Sequence, residues 1–97
     1  MRKIELDITN IHTVKALHVY LAYKLNLPPY YGANLDALYD ALGDAAGSTE
    51  LLLGGTPASD EMAAYLPRLT RVLEDAAREN LNLKLTRVQT PSVTTGV

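Results

Sequence analysis

The chain has 97 residues, of which 47% are hydrophobic, and its formal net charge at pH 7 is −2. This length predicts one domain with a small core, and the absence of cysteine excludes disulfide bonds and thiol chemistry. The nine lysine and arginine residues are scattered, which argues against a nucleic-acid-binding protein, and no stretch approaches the roughly 20 apolar residues that span a membrane.

The first third of the chain predicts one strand followed by one helix. Residues 4–8 alternate apolar and polar side chains, the pattern of a half-buried strand. Apolar residues then recur at helical spacing from about Thr13, a suitable N-cap. Pro28-Pro29 are expected to end this helix, because proline disfavours helical conformation in the residue before it. In the loop that follows, Gly32 is free to adopt a positive φ.

The middle of the chain predicts a second helix and a second strand. Asn34 is a good N-cap for a helix from Leu35 to about Ala46. The apolar run 50–53 is typical of a buried strand, and the turn residues 54–57 close it.

The last third predicts a long helix and a third strand. Ser59 opens a helix that runs to about Asn80, and Pro67 is expected to kink this helix or to separate two helices. Residues 82–87 predict the last strand, whereas residues 89–97 lack periodicity and predict a flexible tail.

Together these elements predict an α/β fold, in which a small three-stranded parallel sheet is packed with three to four helices. They form one domain over residues 1–88. The first seven residues lack the apolar run of a secretion signal, so we expect a soluble, cytoplasmic protein.

Charge is divided unevenly along the chain. Residues 25–67 contain six acidic residues and no lysine or arginine, a formal charge of −6. The two flanks hold the other five acids and all nine bases, a charge of +4. An uncompensated acidic segment attracts a positively charged partner and speeds its encounter.

Three aspartates follow one side of the second helix. Asp36, Asp40 and Asp44 fall roughly opposite the apolar side that contains Leu38 and Leu42. Like charges at this spacing cost about 0.2–0.5 kcal/mol per pair, and no base on the helix offsets them. Helix stability explains only Asp36, which lies in the first turn and complements the helix dipole. The other two are candidates for binding.

Tyrosines surround these acids. Tyr30 and Tyr31 lie in the loop before the helix, and Tyr39 lies beside its apolar side. Tyrosine next to complementary charge is typical of protein–protein interfaces, because rigid aromatic side chains bury a large area at low entropic cost. The residue types therefore predict a protein-binding site.

The segment from Leu27-Pro28 to Leu42, with its Tyr-Tyr-Gly, its Asn-Leu-Asp-Ala-Leu and its final aspartate, resembles the signature of the barstar family, the intracellular inhibitors of barnase-type ribonucleases. A looser likeness extends from the first strand to about Val88. The resemblance implies a barstar-like fold whose second helix and preceding loop block the active site of a guanyl-specific ribonuclease. Tyr39 stands where the family has tryptophan.

The resemblance also implies roles for single residues. Asp40 would enter the enzyme's phosphate-binding site and meet its arginine and histidine, in place of an RNA phosphate. Asp36 would pair with a basic residue beside that site, and Tyr30 would pack on the catalytic histidine. Asp75 matches the family's further acid on the last helix, usually a glutamate. The predicted partner-binding residues are Tyr30, Tyr31, Gly32, Asn34, Asp36, Tyr39, Asp40, Asp44 and Asp75.

Two other functions fit part of the pattern. The aspartate row of the second helix would suit a Mg²⁺-dependent phosphoryl-transfer enzyme, although no base lies nearby to stabilise developing charge. An acidic scaffold that mimics nucleic acid for some basic partner is the second alternative. His12 and His18 lack companion ligands at useful spacing, so a structural or solvated role is expected for both. We predict a non-enzymatic inhibitor or immunity protein that binds a barnase-like ribonuclease, with no cofactor, no metal and no direct contact with nucleic acid or membrane.

Overall fold

The computed structural model describes residues 2–44 and 47–88 of the chain. Its elements in chain order are β1 (Arg2–Asp7), α1 (Val14–Lys24), α2 (Leu35–Gly43), β2 (Thr49–Gly54), α3 (Asp60–Glu79) and β3 (Leu83–Arg87). The three strands are parallel, and β2 lies at the centre of the sheet. The predicted α/β fold with a three-stranded parallel sheet is confirmed.

The sheet buries one face against the helices. Ile4 and Leu6 of β1 pair in register with Leu51 and Leu53 of β2, and all four side chains are buried. Buried hydrophobic side chains come from all six elements and form one cluster. The alternation that predicted the first strand therefore also sets which side of the sheet holds the core.

The opposite face of the sheet is polar. Its register places Glu50 of β2 between Lys3 and Lys84, and the hydroxyl of Thr86 donates a hydrogen bond to the Glu50 carboxylate. This hydrogen bond lowers the pKa of Glu50, and the two lysines add to the shift against the opposing effect of burial. Glu50 is therefore compensated within the sheet.

α1 begins at its predicted cap, Thr13, and ends before the prolines. Asn26 has a φ of 54°, and its N–H donates to the carbonyl three residues back while Leu27 N–H donates to the Ala22 carbonyl. This pair of bonds is a Schellman motif, in which a left-handed residue stops the helix. The prediction that Pro28-Pro29 end this helix is wrong, because the chain has already left the helix when it reaches them.

α2 begins at its predicted cap and is shorter than predicted. Asn34 Oδ1 accepts a hydrogen bond from Ala37 N at 2.8 Å. The helix ends at Gly43 instead of about Ala46. Glycine has a lower helix propensity than every other residue except proline, which accounts for an end at this position. Residues 45–46 lie outside the described residues.

α3 is one continuous helix of 20 residues, so the alternative of two separate helices is wrong. Pro67 lies within it on the exposed side and removes one backbone N–H from the helical ladder. Met62 precedes the proline and Leu69 follows it, and both are 0% exposed. Burial on both sides of Pro67 holds the two halves of the helix against the same core.

The start of α3 is fastened to the start of α1. Ser59 Oγ accepts a hydrogen bond from Met62 N at 3.1 Å and donates one to the His12 carbonyl at 2.6 Å. Glu61 Oε2 accepts a hydrogen bond from Val14 N at 2.7 Å. A second acid of residues 25–67 thus serves the fold, at the N-terminus of a helix where negative charge is favourable.

Gly55 lies at the carboxyl end of the sheet and has a φ of 100°. A Cβ atom there would lie 2.6 Å from Asp7 Oδ1 and 2.8 Å from Thr9 Oγ1. Asp7 Oδ1 accepts hydrogen bonds from the Thr9 hydroxyl at 2.5 Å and the Thr9 N–H at 3.0 Å, and these bonds lower the pKa of Asp7. The turn after β2 therefore requires glycine for both its backbone conformation and its space.

Tyr20 of α1 covers the free edge of β1. Its hydroxyl accepts a hydrogen bond from Asp7 N at 2.9 Å and donates one to the Glu5 carbonyl at 3.4 Å. Ile8 N–H donates to Gly54 of β2, so the odd-numbered residues of β1 direct their backbone polar groups away from the sheet. One side chain thus satisfies two groups at an open edge.

Residues 89–97, predicted as a flexible tail, lie outside the described residues. The predicted domain over residues 1–88 stays a prediction. In the described parts of the chain, no helix combines the length and the apolar character needed to cross a bilayer.

Candidate protein-binding site

The aspartates of α2 form an exposed row. Leu38 and Leu42 on the other side of the helix are 0% and 4% exposed, whereas Asp36, Asp40 and Asp44 all face solvent. Within residues 2–44 and 47–88, no lysine or arginine nitrogen lies within 4.0 Å of these three carboxylates. The row is therefore uncompensated, as the helical spacing predicted.

Tyr39 connects α2 to the C-terminal half of α3. Its hydroxyl donates a hydrogen bond to Glu79 Oε1 at 2.5 Å. This bond, together with burial and the negative charges of Glu79, Asp75 and Asp40, raises the pKa of Tyr39. Carboxylates from two helices thus surround one phenol.

Acids from both helices make one charged surface. We call it the acidic face, and it consists of Asp36, Asp40, Asp44, Asp75 and Glu79. It differs from the acidic segment 25–67, because Glu50 and Glu61 are used within the fold. Two of its members come instead from the basic C-terminal flank. The acidic face therefore forms when folding brings α2 and α3 together, and it does not correspond to one acidic stretch of the sequence.

Asp75 has a partner within the chain. Arg78 Nη1 lies 2.8 Å from Asp75 Oδ1, one turn further along α3. The Arg78 and Asp75 side chains are 70% and 38% exposed, so this ion pair contributes about 0–1 kcal/mol. A base on a partner protein could replace Arg78 at little cost.

The loop before α2 holds its two tyrosines in opposite environments. We call residues 27–33 the tyrosine loop. Tyr30 is 87% exposed, whereas Tyr31 is partly buried and its hydroxyl lies 2.5 Å from His18 Nδ1. The Tyr65 hydroxyl of α3 lies 2.8 Å from the other ring nitrogen, Nε2. His18 is 1% exposed and has the structural role expected of it.

Gly32 does not adopt the positive φ that glycine allows. The left-handed residue of the tyrosine loop is Ala33, with a φ of 53°. Asn34 Nδ2 donates a hydrogen bond to the Gly32 carbonyl at 3.2 Å, and a Cβ atom on Gly32 would lie 3.2 Å from that same nitrogen. A side chain at this position would crowd the capping side chain of Asn34, whereas the φ of Gly32 itself is not positive.

A cleft of about 650 Å³ lies between the tyrosine loop and α2. Its lining includes Tyr30, Tyr31, Gly32, Asp40 and Asp44. The remaining predicted site residues lie elsewhere: Asn34 at the helix cap, Asp36 on the exposed row, and Tyr39 and Asp75 at the junction of α2 and α3. The structure therefore divides the predicted site into a cleft and the acidic face, which share Asp40 and Asp44.

Sequence reasoning missed three residues of this region. Glu79 follows Asp75 by four positions, so helical spacing places both on one side of α3 and is a signal that identifies it. Arg2 lines the cleft beside Asp40 and Asp44, and His18 supports Tyr31. For these two no local pattern exists, because each reaches the site through the tertiary fold.

The aspartate row does not have the geometry of a metal site. Asp36 and Asp44 are eight residues apart, about 12 Å along the helix axis, whereas Mg²⁺ requires oxygen ligands at about 2.1 Å. Within the described residues, no group of three or more histidine, aspartate or glutamate side chains is placed to hold a metal ion.

We therefore expect millimolar Mg²⁺ or Mn²⁺ to leave the melting temperature unchanged, because a ligand that binds only the native state raises it. Thermal unfolding with and without the metal measures this. A rise of several degrees that disappears in Asp36→Ala would support the phosphoryl-transfer alternative.

The chain is similar to a known protein family and to a curated protein. A family model described as Barstar (barnase inhibitor) matches residues 1–90. A Bacillus subtilis (strain 168) protein named "Putative ribonuclease inhibitor YrdF" is 50% identical over 42 residues. That alignment covers 43% of this chain and 46% of the relative, so the chain spans about half the length of the curated relative it matches.

Proposed function

Because this chain belongs to the barstar family, the barnase inhibitors, we propose that it inhibits a barnase-like, guanyl-specific ribonuclease. α2 and the tyrosine loop enter the basic active-site cleft of the enzyme and exclude RNA. In this proposal the protein is not an enzyme, needs no cofactor, and acts in the cytoplasm as an immunity protein.

The acidic face is the observation that carries this proposal. A helix selected only for stability would place bases beside Asp36, Asp40 and Asp44, yet none lies within 4.0 Å in the described parts of the chain. The energy that this repulsion costs is recovered when a positively charged cleft covers the row. By its match to the family's motif we assign Asp40 to the enzyme's phosphate-binding site. Its central place in the row and its exposure at the cleft beside the tyrosine loop support this assignment.

The tyrosines supply the apolar part of the interface. Tyr30 is 87% exposed, and a side chain of this size that is held in water is suited to packing on a partner ring. We assign Tyr30 to contact with the catalytic histidine of the enzyme. Tyr39 and Asp36 extend the contact along α2, and Asp75 and Glu79 extend it to α3.

Titration of the protein into a panel of guanyl-specific ribonucleases tests this function. We expect loss of RNA cleavage with one target at a ratio of one inhibitor to one enzyme, and no effect on a ribonuclease of different specificity. Association with many basic proteins without inhibition would favour the acidic scaffold. Phosphoryl-transfer activity of the protein alone would favour the enzyme alternative.

Association with the target is expected to be electrostatically steered. The acidic face presents five carboxylates, and only Asp75 has a basic partner within 4.0 Å among the described residues. The on-rate should therefore fall steeply between about 0.05 and 0.5 M salt, while the off-rate changes little. Barnase and barstar are themselves the reference pair for this effect. Stopped-flow association at several salt concentrations measures it, and an on-rate insensitive to salt would contradict it.

A further inference from the structure

His18 lies at the junction of three parts of the fold. It belongs to α1, its Nδ1 lies 2.5 Å from the Tyr31 hydroxyl of the tyrosine loop, and its Nε2 lies 2.8 Å from the Tyr65 hydroxyl of α3. The ring is 1% exposed, and the two tyrosine ring centroids lie 5.8 and 5.9 Å from its own. Both nitrogens of a buried imidazole are thus occupied by hydroxyl groups.

This contact determines how the tyrosine loop presents its exposed side chain. Tyr31 is drawn inward to His18, and its N–H donates to the Pro28 carbonyl at 3.0 Å. Tyr30, the preceding residue, is consequently directed outward, where it is 87% exposed. A displacement of Tyr31 would therefore move both Tyr30 and the wall of the cleft beside Asp40.

A hydrogen bond donated by a tyrosine hydroxyl to His18 requires the neutral imidazole. A neutral ring has one N–H donor and one acceptor nitrogen, so one tyrosine hydroxyl donates to it and the other accepts from it. A protonated ring has two donors and no acceptor. The hydroxyl that donated must then accept from the ring and direct its own proton elsewhere in a part-buried site, so this pattern of hydrogen bonds has to rearrange.

The surroundings of the His18 ring do not favour its protonation. Burial lowers the pKa of His18. From α3 the ring faces Tyr65, whose own aromatic ring has the Arg68 guanidinium 5.3 Å from its centroid. On α1, Lys15 lies one turn before His18 and is exposed, and on α3 the Glu61 carboxylate, one turn before Tyr65, accepts a hydrogen bond from Val14 N.

The two tyrosines bonded to His18 do not change charge between pH 5 and 8. Burial raises the pKa of Tyr31 to about 12, with a further contribution from Tyr65. Burial also raises the pKa of Tyr65, against an opposing effect of Arg68. Between pH 5 and 8 the histidine is therefore the group of this triad that changes charge.

We propose that His18 is a positioning residue for the tyrosine loop: its neutral form fixes Tyr31 and thereby aims Tyr30 at the partner, and its protonation loosens the loop and speeds release of the partner in acid. This inference rests on the proposed function, since the partner is the ribonuclease. The ordinary pKa of histidine is 6.5 and the folded value is lower. The stability that neutral His18 contributes to the folded state is therefore fully present above about pH 6.5, and it is lost as the pH falls through the folded pKa of His18.

The dissociation rate of the complex, measured between pH 5 and 8, tests the proposal. His18→Gln keeps one donor and one acceptor but cannot be protonated, and His12→Gln replaces an exposed histidine as the matched control. We expect dissociation of the wild type and of His12→Gln to accelerate in acid by about three- to tenfold more than that of His18→Gln, the equivalent of one hydrogen bond. Comparison between variants cancels the titration of the enzyme itself. Identical pH profiles for all three proteins would overturn the proposal.

Two further measurements keep the test decisive if His18→Gln folds poorly. Tyr31→Phe removes the bond between His18 and the loop, so it should also flatten the pH profile, whereas a full acid response in Tyr31→Phe would contradict the proposal. In the free protein, NMR should show amide shifts of residues 27 and 30–33 that follow the His18 titration. Amide shifts of the tyrosine loop that stay constant while His18 titrates would overturn the positioning role. This measurement needs no ribonuclease. Failure to inhibit any ribonuclease would instead count against the proposed function alone.

Discussion

Replacing Asp40 with alanine is expected to weaken inhibition of the target ribonuclease by about 3–5 kcal/mol of binding free energy. In the proposed complex the Asp40 carboxylate is buried among the cations of the phosphate-binding site. Its removal leaves those cations desolvated and unpaired, which is the costly way to break a buried ion pair.

The same substitution should make the free protein slightly more stable. Asp40 lies beyond the first turn of α2, too far from the N-terminus to gain from the helix dipole. Alanine removes repulsion from Asp36 and Asp44 and is the best helix former, so the free energy of unfolding should rise by a few tenths of a kcal/mol or more. Binding and stability therefore change in opposite directions.

Urea unfolding of the free protein and inhibition of the ribonuclease, measured side by side, separate these effects. Glu74→Ala is a matched control, because Glu74 is an exposed acid within α3 that lies outside the acidic face. It should leave inhibition unchanged. An Asp40→Ala protein that is less stable yet inhibits normally would mean that the aspartate row is structural and that the proposed function is wrong.

Gly55→Ala is expected to lower the free energy of unfolding by about 2–4 kcal/mol, the largest effect on stability that we predict. A φ of 100° is strained for a residue with a Cβ atom. The new methyl would also lie 2.6 Å from Asp7 Oδ1, so the two hydrogen bonds between Asp7 and Thr9 must be displaced. Urea unfolding with an unchanged m-value measures the loss.

Gly43→Ala supplies the control for that change. Gly43 is the last residue of α2, and a Cβ atom there would meet nothing within 4 Å. Alanine should therefore be neutral or stabilise the protein by up to about 1 kcal/mol. Equal stability of the Gly55→Ala and wild-type proteins would show that the turn relaxes without cost.

Periodicity predicted the strands and helices well, because the residues that are buried on one side of each element recur every few positions in the sequence. The sequence also indicates where the helices begin, because an N-cap side chain acts within three residues of its own position. The three caps are Thr13, Asn34 and Ser59. The end of α1 was misassigned because a Schellman motif at Asn26 competes with the more conspicuous prolines. Pro67 does not divide α3 into two helices, because tertiary burial overrides local propensity.

The candidate site was less accessible from sequence. The aspartate row lies on one helix and could be predicted from spacing alone. Glu79 meets Tyr39 from 40 positions away, and His18 reaches Tyr31 from another helix. The acidic segment 25–67 also differs from the acidic surface of the folded protein, because residues that are neighbours in the sequence need not be neighbours on the surface. Glu50 and Glu61 show this difference, since both are satisfied inside the fold.

The hydroxyl of Tyr20 has a consequence for how the protein behaves at high concentration. A parallel sheet of three strands has two edges, and an open edge is a template on which a second copy can add a strand. Tyr20 occupies both the Asp7 N–H and the Glu5 carbonyl that such an added strand would need. The protein at high concentration is thereby protected from polymerisation through β1, by a side chain that lies outside both the acidic face and the tyrosine loop.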